Sequence, residues 1–182
     1  MVLLNSDVCD FNKKMINFHL MNIDGQSYNL DNLLGKNGTL IMFICNHCPY
    51  VKAVIKELVK TTIELTNYGI NSIAIMPNDI EKYPEDNFEK MQKFADINNF
   101  NFPYLIDDTQ EIAKKYEAVC TPDFFGFNQD KKLQYRGRIF ELNNLKITSN
   151  KNELLDAMKM ISKHKTGPTK QYPSIGCSIK WK

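Results

Sequence analysis

The sequence predicts an α/β sandwich built around one mixed sheet, and three observations predict it. The chain of 182 residues has the length of one domain and carries no linker that would set off a second. With 43% hydrophobic and 24% charged residues it has apolar material for a full core, which excludes disorder as its main state. Its patterns run as a β-hairpin, then βαβαβα, then ββα.

The hairpin is read at 17–21 and 26–30, because Asp24-Gly25 between them permits the positive φ angles of a tight turn. The continuous apolar run from Thr39 to Ile44 suits a central strand buried on both faces. After Pro49, Val51, Val54, Ile55, Leu58, Thr62 and Leu65 recur at helical spacing, and Gly69 stops that helix. A strand over 70–76 follows at once. An inserted βα unit starts near Pro84, where Phe88, Met91, Phe94 and Ala95 mark an amphipathic helix, and the chain returns through a strand at 104–106. Asp108 is expected to cap a short helix holding Ile112 and Tyr116. Residues 124–127 and 132–136 read as a second hairpin. Asn150 with Glu153 resembles a capping box for a last helix that buries Leu154, Leu155, Met158 and Ile161.

Charge is little help with function. The net charge is +2, and among 23 basic residues only Arg136 and Arg138 are arginine. Nucleic-acid sites favour the bidentate guanidinium, so no nucleic-acid partner is expected. The apolar run from Leu40 to Cys45 is far short of a membrane span, and the first residues lack a basic segment followed by an apolar one, so a soluble, cytoplasmic protein with no membrane partner is expected. From Lys163 onward there are five lysines and no acid, yet Tyr172, Ile175, Ile179 and Trp181 are more apolar than a plain linker needs. The expected division is an N-terminal extension at 1–14, a domain at 15–164 and a tail at 165–182 that docks on it.

Cysteine is the informative count. Cys9, Cys45, Cys48, Cys120 and Cys177 are odd in number and unevenly spaced, which does not make a secreted disulfide framework. Cys45-Asn46-His47-Cys48 stands where the buried strand turns into a helix. Unsatisfied N–H groups and the helix dipole stabilise an anion there, so Cys45 is expected to be the thiolate nucleophile and Cys48 the resolving thiol. A protonated His47 between them would lower the Cys45 pKa and stabilise the dithiol over the disulfide.

The strand–Cys-x-x-Cys–helix arrangement, followed by Cys120-Thr121-Pro122 at the start of a hairpin, resembles the thioredoxin-like fold, with a central mixed sheet flanked by helices. In that fold a proline so placed is cis and sits beside the dithiol. More closely, Phe43 to Ala53, Tyr83-Pro84-Glu85-Asp86, Phe102-Pro103-Tyr104, Cys120 to Phe125, Tyr135-Arg136-Gly137-Arg138 and Pro173 to Trp181 resemble a bacterial branch of redoxin-domain proteins in the peroxiredoxin and TlpA-like group. The likeness spans roughly residues 15 to 182. It implies thiol–disulfide exchange with no cofactor and no metal. Cys45 would attack, Cys48 would resolve, His47 would tune the pair and Pro122 would shape a groove. Thr121, Asn46 and Pro49 would meet a disulfide-bearing protein or small molecule, and a dithiol system such as thioredoxin or glutathione would donate electrons. Asn46-His47 replaces the Gly-Pro of ordinary thioredoxins, and a histidine before the second cysteine is similar to oxidising DsbA-like proteins. The buried Asp of thioredoxins has no counterpart in Leu40-Ile41-Met42; Asp79, Glu81 and Glu85 read mainly as solvated acids.

Three other readings fit parts of the pattern. A peroxiredoxin-like thiol peroxidase, with an antioxidant role, needs Thr or Ser three residues and Pro seven residues before its cysteine; neither Cys45 (Met42, Gly38) nor Cys48 (Cys45, Ile41) has them. A zinc module could draw on Cys45, His47, Cys48 and Cys120, but no second Cys-x-x-Cys completes it. A redox-inactive adaptor would use the groove beside Pro122 to bind peptides. Cys120 reads first as a small buried hydrophobe and next as an additional redox thiol. Cys177, in the apolar tail, is a further candidate redox thiol.

Overall fold

The computed structural model describes residues 2–11 and 13–182. In chain order the strands and helices are β1 (Leu3–Asn5), β2 (His19–Asn22), β3 (Ser27–Asn29), β4 (Gly38–Phe43), α1 (Pro49–Thr66), β5 (Ile70–Met76), α2 (Phe88–Asn98), β6 (Tyr104–Ile106), α3 (Glu111–Tyr116), β7 (Cys120–Thr121), β8 (Asp123–Asn128), β9 (Leu133–Arg136), β10 (Leu142–Asn143), β11 (Lys146–Ile147), α4 (Glu153–His164) and β12 (Ile175–Ser178). A mixed seven-stranded sheet in the order β3-β2-β6-β5-β4-β8-β9 forms the centre. β4, β5 and β6 are parallel; the pairs β2–β6, β2–β3, β4–β8 and β8–β9 are antiparallel.

All six residues of β4 are buried, because the strand has a neighbour on each edge and a packed layer on each face. Side chains alternate along it. Leu40, Met42 and Ile44 pack with Val51, Val54, Leu58 and Leu65 of α1 and with Leu154, Met158 and Ile161 of α4. Ile41 and Phe43 face the other way, toward Ile112 and Tyr116 of α3 and Phe125 of β8. α1 presents its helically spaced apolar face to this core, and Gly69 at φ +69° lets the chain turn straight back into β5. The sheet thus holds the end of β4, and with it Cys45, between two packed layers.

Two helix starts differ from expectation. α3 is entered from Gln110, and Asp107, not Asp108, caps it by accepting from the Ala113 N–H at 2.7 Å. α4 is capped by Asn152, whose Oδ1 accepts from Leu155 N, rather than by Asn150. A further sheet lies outside the expected elements: β1, β12 and β7 form three antiparallel strands that join residues 3–5 and 175–178 to the Cys120-Thr121 segment.

Candidate active site

Cys45 follows β4 directly, and Cys48 is the N-cap residue of α1, with Pro49 in the first helical position where its missing N–H costs nothing. Facing them is the Thr121-Pro122 peptide, which is cis. Thr121 touches both sulfurs: its Oγ1 lies 3.3 Å from Cys45 Sγ, and its carbonyl accepts from Cys48 Sγ at 3.0 Å. Both cysteines are buried, and all five are thiols.

His47 projects from the turn between them. Its Nδ1 is 4.0 Å from Cys45 Sγ and 2.6 Å from Asp86 Oδ2. Asp86 ends the short 3-10 turn that begins at Pro84, and it is fully buried. Its oxygens accept from the backbone N–H of Asn46 at 2.8 Å and of His47 at 3.3 Å, from His47 Nδ1, and from Asn78 Nδ2 at 2.8 Å. The acid serving the dithiol loop is therefore Asp86, and Asp79 is no solvated acid either: it is buried and accepts from Glu81 N. Tyr83-Pro84-Glu85-Asp86 stood out in the sequence, but nothing in its spacing says that Asp86 folds back onto residues 40 and 39 positions earlier.

The electrostatics alter the expected division of labour. Burial, the hydrogen bond to Cys48 and the nearby Asp86 charge push the Cys45 thiol well above the usual range. The hydrogen bond from Cys45, then contacts from Cys177 and the Val51 N–H at the helix start, draw Cys48 down to about 5. The two thiols thus titrate as one coupled pair, in which a single negative charge is stabilised at the start of α1. Bonding to Asp86 raises the His47 pKa, so the imidazolium is favoured beside the pair.

The residues expected to meet substrate have other work. The strand edge at Thr121 is paired with Cys177 of β12, and Cys120 with Ser178, so the groove backbone is already occupied by the chain's own C-terminal strand. Asn46 is buried, its amide donating to Glu85 O and its carbonyl accepting from Tyr104 OH. Only Pro49, half-buried, keeps part of its surface. Cys120 is buried, points its thiol at the Pro122 carbonyl, and is pushed up first by burial and then by Asp123; it packs as a hydrophobe would. Cys177 is brought in: its Sγ lies 3.0 Å from Cys48 Sγ. A groove of about 450 Å³ beside it is lined by Val2, His47, Tyr83, Glu85, Cys177, Ser178 and Lys180.

Among the described residues, Cys45, His47 and Asp86 place one ligand atom each within 4.8 Å of one another. The Asp86 oxygens already accept from four protein donors, which marks this carboxylate as the anchor of the loop rather than a ligand awaiting an ion. Both arginines are committed elsewhere: Arg136 to Asp123 and the Glu117 carbonyl, and Arg138 to Glu153.

Three solved structures show what the chain is similar to. An uncharacterized conserved protein from Geobacillus kaustophilus is 41% identical over 100% of this chain and 97% of its own, with a TM-score of 0.95. A hypothetical protein from Sinorhizobium meliloti 1021 is 31% identical over 98% of each chain, with a TM-score of 0.90. A secreted Mycobacterium tuberculosis disulfide oxidoreductase homologous to E. coli DsbE shares the thioredoxin-like fold at 20% identity, over 69% of this chain and 87% of its own, with a TM-score of 0.56. No curated protein matches the chain. The model of the AhpC/TSA family matches residues 11–136, the stretch that runs from before the β2–β3 hairpin through the Cys45–Cys48 loop and the cis-Pro122 turn, and the chain belongs to that family.

Proposed function

We propose that the protein is a thiol–disulfide oxidoreductase that exchanges electrons between its Cys45–Cys48 dithiol or disulfide and substrate disulfides. Family membership supports thiol redox chemistry. The observation that carries the finer reading is the pair itself, held at the start of α1 against Thr121 with hydrogen-bond partners for either sulfur.

The coupled pair shares one proton when singly ionised, and exchange begins when that proton stands on Cys48. Cys48 as a thiol then donates to the Thr121 carbonyl, while the Cys45 thiolate accepts from Thr121 Oγ1 and faces the His47 imidazolium. Cys45 attacks one sulfur of the substrate disulfide; the other sulfur leaves as a thiolate. Cys48 then attacks Cys45 Sγ of the mixed disulfide, the second substrate thiolate departs, and the Cys45–Cys48 disulfide remains for a dithiol donor to reduce. In an oxidising medium the same steps run backwards. The peroxidase reading is disfavoured because neither arginine hydrogen-bonds or ion-pairs with Cys45 or Cys48.

Insulin disulfide reduction with wild type, Cys45→Ser and Cys48→Ser tests the reading. Loss of turnover in both variants is expected, and turnover equal to wild type in either removes that cysteine from the mechanism.

A further inference from the structure

The edge of the cis-proline loop is occupied in this chain by its own strand. β12 runs antiparallel to β7 with Cys177 opposite Thr121 and Ser178 opposite Cys120. β1 closes the other edge of β12, pairing Leu3 with Cys177 and Leu4 with Gly176. The approach is so close that a Cβ on Gly176 would lie 2.1 Å from the Thr121 carbonyl oxygen, which only glycine tolerates. The strand presents a thiol to the dithiol: Cys177 Sγ stands 3.0 Å from Cys48 Sγ, about 1 Å beyond bonding distance. Of the three clustered thiols, Cys177 is the one that lines the groove with His47, Glu85 and Lys180.

We propose that Cys177 is a third redox thiol of this centre and exchanges with Cys48, so that β12 serves as a built-in substrate strand linking the buried pair to the groove. The inference rests on the reading of Cys45–Cys48 as an exchanging dithiol. Starting from the Cys45–Cys48 disulfide, the Cys177 thiolate attacks Cys48 Sγ. The Cys48–Cys177 bond forms, the Cys45–Cys48 bond breaks, and Cys45 leaves with the electron pair and takes up the proton that Cys177 gave up. No outside oxidant or reductant is consumed. Burial, then the hydrogen bond to Cys48 and the Cys48 charge, hold the Cys177 thiol up at about 12 while the pair is reduced, with Lys180 acting the other way. Once Cys48 is in a disulfide its charge is gone and the opposition from that neighbour ends.

The full chain is equilibrated with glutathione and glutathione disulfide over a range of ratios, quenched in acid, alkylated and mapped for disulfides by mass spectrometry. In wild type both Cys45–Cys48 and Cys48–Cys177 linkages are expected. In Cys45→Ser the Cys48–Cys177 disulfide is expected at a ratio within about tenfold of that which oxidises wild type. Cys177→Ser is expected to keep only the Cys45–Cys48 linkage. If Cys45→Ser retains Cys48 and Cys177 as thiols, or carries only glutathione adducts, at ratios that fully oxidise wild type, the proposal is overturned while the dithiol reading stands. A wild type that never forms Cys45–Cys48 defeats the dithiol reading and the proposal with it. Should Cys45→Ser not fold, wild-type mapping decides: no Cys48–Cys177 species at any ratio overturns the proposal.

Discussion

At the residue scale the site turns on where one negative charge rests. With Cys48 drawn down to about 5, the reduced protein at neutral pH is expected to show one ionised thiol by ultraviolet thiolate absorbance. Its titration should centre well below the ordinary thiol range and move up in either Cys45→Ser or Cys48→Ser, since each breaks the coupled pair; a midpoint near 9 in wild type would contradict the coupling. Asp86 makes a second prediction. It is fully buried with four donors on it, so Asp86→Ala strands buried donors and is expected to cost about 3–5 kcal/mol in denaturant unfolding. Because its carboxylate raises the His47 pKa above the unfolded value, the pair's stabilisation is full below about pH 6.5 and is lost as pH rises through the folded value. Asp86→Asn should therefore lower the His47 titration midpoint seen by NMR and remove that part of the loss with rising pH; an unchanged midpoint would deny the coupling. The Cys45–Cys48 loop was legible because a strand-to-helix turn is written in local spacing, and the cis Pro122 facing it was what the family resemblance implied. Asp86 was not legible, since its role depends on a turn folding back across the sheet.

Elements were read best where periodicity is strong. β4, α1 and β5 fall where their apolar patterns place them, because each has a buried face long enough to write a period. Helix starts were less legible where cap-forming residues cluster: Asp107 outcompetes Asp108, and Asn152 outcompetes Asn150 because its amide also reaches Thr61 Oγ1 at 2.7 Å. β12 could not be read as a strand, since four residues after Pro173 carry no period of their own and are ordered by pairing with β1 and β7. Its close seating gives a prediction. Gly176→Val forces β12 off Thr121 and is expected to speed alkylation of Cys45 and Cys48 about tenfold, corresponding to roughly 1.4 kcal/mol of local opening. Equal alkylation rates in variant and wild type would mean that the strand does not cover the pair.

For the whole molecule, the sheet is the frame that holds the thiols in place. Leu40, wholly buried between β4 and the α1–α4 layer, anchors that frame, and Leu40→Ala is expected to lower unfolding free energy by about 2–5 kcal/mol. Among the described residues no helix is long and apolar enough to cross a membrane. A thiolate stabilised in the reduced pair, with partners from α1, β12 and the opposite thiol, is expected to favour the dithiol over the disulfide. The most direct test of the central claim, that Cys45 and Cys48 form an exchanging pair with a stabilised reduced state, is the reduction potential of that pair in glutathione buffers. A two-electron transition lying above the roughly −270 mV of thioredoxin, toward the roughly −120 mV of DsbA, is predicted; a potential at or below the thioredoxin value, or no transition involving Cys45 and Cys48, would contradict it.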